Sequence, residues 1–266
     1  MLLRNVFTKT LRDLRWPTFW VSVGMGGMAG YFALLFPTYS KLVDMNDLLS
    51  KMGPAAKLLG ASVGDAGSLV GFLHIELFSM ILPALMVTFA AGMASGFTAG
   101  EESRGTLDIL LSYPISRRRL VLEKSLALLI GSLVAAAAVW VLTVAGAAAS
   151  ASALPPGPMA AALAMLVLLG LAFAAIALAV AAATGNRAGA IGLAIGLMVV
   201  MYLVDALANV VDGLGVIRPL SLFRYYMGSD PLRNGLNFAD AGVLVAVTAA
   251  FLGIALVLFE RRDLAA

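Results

Sequence analysis

The feature that most constrains this chain is Ser125–Asn186, 62 consecutive residues without one charged side chain. As a single helix at 1.5 Å per residue the run would reach about 93 Å, three times the hydrocarbon thickness of a bilayer. It must therefore fold back once. The break falls at Leu154-Pro155-Pro156-Gly157-Pro158, because proline lacks the N–H and its ring clashes with the preceding turn. Two spans result, at about 125–149 and 159–183. Composition agrees: 61% of residues are apolar and 12% charged, against roughly 45–50% and 25% in soluble domains. A surface built from these residues suits lipid, which excludes both a soluble domain and a disordered chain.

Four more stretches meet the length requirement, at about 17–36, 73–98, 188–211 and 240–259. The expected fold is thus an all-α membrane protein with six transmembrane helices in a single domain, 1–266. With the N-terminus inside, the inner segments hold 12 Lys and Arg and the outer segments 6. This imbalance predicts both termini in the cytoplasm. Trp16, Trp20, Tyr31 and Tyr39 bracket the first span as interfacial anchors. Close helix packing is expected where small residues recur four apart, at Gly26/Gly30, Gly92/Gly96, Gly96/Gly100 and Gly192/Gly196. The pattern does not say whether the partner helix is in the same chain. No A-x-A-like cleavage site follows the first apolar stretch, so it is expected to be a retained span rather than a signal peptide. A net charge of +3 is read as an orientation signal, and no nucleic-acid partner is expected. With no cysteine in the chain, disulfides, thiolate metal sites and a cysteine nucleophile are excluded.

The segments between spans carry their own patterns. Residues 1–16 space Leu3, Phe7, Leu11 and Leu14 helically among Arg4, Lys9, Arg12 and Arg15, which suits an amphipathic helix in the headgroup layer that turns into the first span at Pro17. Leu42, Met45, Leu49 and Met52 form a second stripe, expected as a short outer helix over 41–52. The segment 212–238 is too apolar for an exposed loop and too broken by glycine and proline to span. It fits re-entrant short helices sheltered by protein.

The largest charged cluster lies inside, at 99–124. It reads Gly100-Glu101-Glu102-Ser103-Arg104-Gly105-Thr106-Leu107-Asp108-Ile109-Leu110-Leu111-Ser112-Tyr113-Pro114-Ile115-Ser116-Arg117-Arg118-Arg119. An acidic end to span two, a turn at Gly105, a short amphipathic helix and a helix N-capped by Ser116 are expected. This order of pieces resembles the membrane subunit of a type-2 ATP-binding-cassette (ABC) exporter over essentially the whole length. The most specific match is the acidic pair, Arg-Gly-Thr-Leu, the leucines and Pro-Ile-Ser-Arg. Leu232-Arg233-Asn234-Gly235-Leu236 before span six is a weaker one. The resemblance implies that 99–124 is a cytoplasmic coupling helix that seats on a separate ATPase, that 1–16 is a connecting helix, and that 212–238 is re-entrant. It places Glu101, Glu102, Arg104, Gly105, Thr106, Leu107 and Asp108 at the ATPase-facing elbow. Arg117, Arg118 and Arg119 would face its acidic surface or anionic lipid. It further implies two ATPase copies carrying ATP and Mg, a second membrane subunit in a homodimer, a cytoplasmic-membrane location and export of an amphipathic or hydrophobic substrate.

The chain has no G-x-x-x-x-G-K-[ST] loop, so nucleotide chemistry is expected on another chain, and no cofactor on this one. Gly60-Ala61-Ser62-Val63-Gly64 matches the hydrolase nucleophile elbow, but no strand–turn–helix context surrounds it. His74 and Glu76, two apart, point to different sides of a helix and lack a third ligand, so no metal site is expected. Glu76 and Asp205 are the substrate-path candidates, with snorkelling at the outer surface as the ordinary account. The alternative from another class is a membrane channel or scaffold without an ATPase; a channel would need a polar ring along the pore, which spans three and four do not offer.

Overall fold

A computed structural model describes residues 6–42, 47, 51, 67–103, 105, 116–208, 210–211 and 213–261. Among these no strand occurs, and the fold is a bundle of helices. Five helices are each long and apolar enough to cross a membrane: α1 (Val6–Leu42), α5 (Arg117–Ala149), α6 (Pro156–Thr184), α7 (Arg187–Ala208) and α10 (Phe238–Arg261). A bent helix pair makes a sixth candidate if its two parts act as one span. It comprises α2 (Leu69–Leu73), a π-helical turn (His74–Phe78) and α3 (Ile81–Ser95), with a 42° bend between its two parts. Short pieces complete the chain: α4 (Ala99–Ser103), 3₁₀ turns at Leu214–Val216 and Arg218–Leu220, α8 (Leu222–Met227) and α9 (Pro231–Asn234).

The chemistry of the breaks is local. Pro83 sits in the first turn of α3, where a missing N–H breaks no helical bond. The preceding turn instead widens into the π form, with the Ser79 hydroxyl donating to the Ile75 carbonyl at 2.6 Å. The same tolerance lets α6 start at Pro156, three residues before the expected 159, with Pro158 still in its first turn. Trp140 Nε1 donates to the Pro156 carbonyl at 2.9 Å and fixes the fold-back. Gly185, at φ +67, ends α6 in the left-handed conformation that favours glycine.

At the N-terminus the structure departs from expectation. The turn into span one at Pro17 is absent: α1 runs as one helix of 37 residues through Pro17 and Pro37. Inside a packed membrane bundle, an interior proline is accommodated by its neighbours. Val6, Thr10 and Leu14, four apart, form the buried stripe of its first turns. The expected outer helix over 41–52 lies mostly outside the described residues.

α6 is the centre of the bundle. It packs against α3, α5, α7 and α10, and Met165, Leu169, Phe173, Ala177 and Ala181 are all fully enclosed. Its wall-to-wall apolar sequence has no polar face because it has no outer face. α1 lies on α5. A Cβ at Gly146 would stand 2.4 Å from the Gly30 carbonyl oxygen, and one at Gly30 would stand 2.8 Å from that of Leu142. The two backbones therefore touch, as small residues allow in lipid. Gly26 and Gly30 are accounted for within the chain, whereas a Cβ at Gly192 or Gly196 would meet nothing within 4 Å.

Candidate functional site at the elbow end

The helix ends that flank the charged elbow are joined by buried and bridging polar contacts. α4 carries Glu101 just past span two, and α5 carries Lys124 two turns into its helix. The Lys124 ammonium donates to Glu101 Oε1 at 2.8 Å and to the Phe97 carbonyl at 3.3 Å, over the Phe97 ring. Its side chain is 5% exposed and that of Glu101 16%. An ammonium this deeply enclosed persists only with a carboxylate and a carbonyl around it. The first residues of α5 reach the other way. Arg118 forms a two-pronged pair with Glu260 of α10, with its Nη2 at 2.8 Å from Oε2. Arg117 donates to the Phe259 carbonyl at 2.9 Å and lies over the Phe259 ring. Arg119 pairs with Glu123 at 2.7 Å, and Glu123 in turn accepts from the Phe7 backbone N–H of α1 at 3.0 Å. Ser116 caps α5 through the Arg119 N–H, as its position predicts. Arg118 and Glu260 lie beyond the apolar stretches, and the guanidinium, by its hydrogen bond first, holds the Glu260 carboxyl below its ordinary range.

A fifth cation at this end, Arg187, opens α7. It lies along the glycine ridge of span two: Cβ atoms at Gly96 and Gly100 would stand 3.8 Å from its Cζ and 3.5 Å from its Cδ. Its Nη2 donates to the Gly92 carbonyl at 3.2 Å. Gly92/Gly96/Gly100 thus receive an arginine rather than another helix. A polar cavity of about 220 Å³ opens between α1, α3 and α4, α5 and α7, with Asp13, Glu101, Lys124 and Arg187 in its wall.

Of the residues singled out from sequence, the structure brings together Glu101, Arg117, Arg118 and Arg119 at this end. Glu102 sits beside Glu101 in α4, half-buried, and Gly105, where a turn is expected, has φ +65, in the left-handed region. Arg104, Thr106, Leu107 and Asp108 lie outside the described residues. The substrate-path candidates are at the opposite end. Asp205 pairs with Arg218 at 2.8 Å, which ties α7 to the 3₁₀ turn after it. Glu76 is half-buried in the π-helical turn. His74, next to it, faces Asp230 at 3.9 Å rather than Glu76. Among the described residues no three His, Cys, Asp or Glu gather as for a metal ion. Sequence reasoning passed over Lys124 and Arg187. Both count there only as positive charges; a lysine two turns into an apolar helix is the one local signal, since the carbonyl that Arg187 reaches lies 95 residues away in the chain.

No curated protein matches the chain as a relative. The family model of the ABC-2 family transporter proteins matches residues 18–264, all but the first helical turns and the last two residues. That family comprises multi-pass membrane components of ABC transporters, which work with an ATP-binding partner. The chain belongs to the ABC-2 transporter family, as a membrane permease subunit of an ABC transporter.

Proposed function

We propose that the chain is the export subunit of an ATP-driven pump, in which the elbow of 99–124 is pushed by an ATPase on the cytoplasmic side. Glu101, Glu102, Arg104, Gly105, Thr106, Leu107 and Asp108 form the docking elbow, and both termini share its compartment. What supports this reading is the bracing of the elbow's two ends. Glu101 is bonded to Lys124 at 2.8 Å, and Arg118 to Glu260, so a push on the elbow meets α3, α5 and α10 together. A segment anchored at both ends transmits rigid-body motion, and each nucleotide state then biases the access of the spans by differential contact. Arg117 and Arg118 act here as anchors to α10, and Arg119 holds Glu123. Their first task is inside the chain rather than on the partner's surface.

Two copies of the chain and two ATPases, carrying ATP and Mg, make the working assembly in the cytoplasmic membrane. The cargo is amphipathic or hydrophobic. A groove of about 270 Å³ between α3, α5, α6 and α10 is lined by Ala94, Leu126, Leu129, Ala174, Leu178 and Leu252, an apolar wall with little to offer a charged solute. Co-purification tests the elbow. Leu107→Glu and Asp108→Arg should each reduce recovery of the ATP-binding partner while leaving the thermal midpoint of the chain unchanged. A partner retained by the double variant overturns the assignment.

A further inference from the structure

Among the described residues Arg187 has no ion-pair partner: its one hydrogen bond is to the Gly92 carbonyl, and its Nε is buried with no partner. Buried polar groups are paired in more than nine of ten cases, so a guanidinium N–H with no protein acceptor beside a polar cavity is a donor available to a bound group. The cavity beside it holds a second cation, Lys124, whose charge is matched by Glu101. Asp13 is exposed at the mouth, too far from Arg187 to pair. Arg187 also stands at the start of the 22-residue helix α7, where the positive end of the helix adds to its field. The Gly96 and Gly100 hydrogens leave the flank of the guanidinium uncrowded.

We propose that this cavity is an oxyanion site in which Arg187 is the principal ligand, filled by the phosphate of a phospholipid headgroup or by free phosphate. A guanidinium fork matches a phosphate in geometry as well as charge. The position, at the end of the membrane-crossing stretches, is the depth at which headgroup phosphates lie. The volume admits a phosphate group with water but no acyl chain.

The test uses the full chain in its detergent-solubilised complex. Phenylglyoxal modification of Arg187, mapped by peptide mass spectrometry, is followed with added phosphatidylglycerol, with inorganic phosphate, and with chloride at the same ionic strength. Protection by phosphatidylglycerol alone identifies a headgroup, and protection by inorganic phosphate identifies a free-anion site. Native mass spectrometry of Arg187→Gln should show bound phosphatidylglycerol reduced about tenfold in the first case, a loss of roughly 1.4 kcal/mol. Arg187→Lys should fall between, and Lys41→Gln at the opposite end should match the wild type. If Arg187→Gln does not fold, the protection measurement on the unaltered chain decides. Equal modification in all three solutions, or equal protection by chloride, overturns the proposal.

Discussion

At the level of single residues, the sequence marks the elbow but not what braces it. Glu101 and Arg118 stood out because they belong to a charged run, whereas Lys124 looked like the tail of a positive flank. Only its contacts with Glu101 and with the Phe97 carbonyl and ring show that its ammonium is enclosed. Removing one partner of such a pair strands the other charge. Lys124→Met should therefore cost about 3 kcal/mol, read as a lower thermal midpoint in detergent. Lys124→Met combined with Glu101→Gln should cost clearly less than the two single changes together, the non-additivity that defines a direct contact. At the exposed pair the prediction concerns pH. The folded Glu260 carboxyl titrates below its unfolded value because Arg118 bonds to its ionised form. Its contribution is thus fully present above the unfolded carboxyl range and lost as pH falls through the folded one. Glu260→Gln should flatten that acid limb of the stability curve, and an unchanged limb would show that other carboxylates govern it.

At the level of elements, periodicity and proline found the helices, and their boundaries shifted where a proline fell in a first turn. Pro155 to Pro158 marked the fold-back correctly, yet α6 already begins at Pro156. Pro17 suggested a turn and produced none, since neighbouring helices can satisfy what one proline frees. Pro83 lay unremarked within an uncharged run, and it is there that span two bends. The glycine pairs are the clearest case of a signal whose meaning depends on the partner. The Gly30 and Gly146 backbones meet, so Gly146→Ala must push α1 from α5. We expect a loss of about 2 kcal/mol from overpacking, visible as easier unfolding in a denaturing-detergent titration. Gly24→Ala, on the same α1 helix with nothing within 4 Å of a Cβ, should be silent.

At the level of the whole molecule, the excess of Lys and Arg on the elbow side predicts an orientation that is open to a direct check. The absence of cysteine makes single-cysteine labelling clean. Gly105→Cys should react with a membrane-impermeant maleimide only from the cytoplasmic side, and Ser152→Cys, beyond the far end of α5, only from the opposite side. The reverse pattern would remove the elbow from any ATPase. By itself the sequence determined that the chain lives in lipid, that it is built of apolar helices and where its charged elbow lies along the chain, because the cost of placing charge or open backbone in hydrocarbon leaves few alternatives. The tertiary structure alone decided which small residues meet a helix and which meet an arginine, and that Lys124 is caged while Arg187 keeps an unmet donor. Those outcomes depend on which faces come together between residues well separated in the chain, 23 apart for Lys124 and Glu101 and 95 apart for Arg187 and Gly92, and local pattern carries no record of that choice.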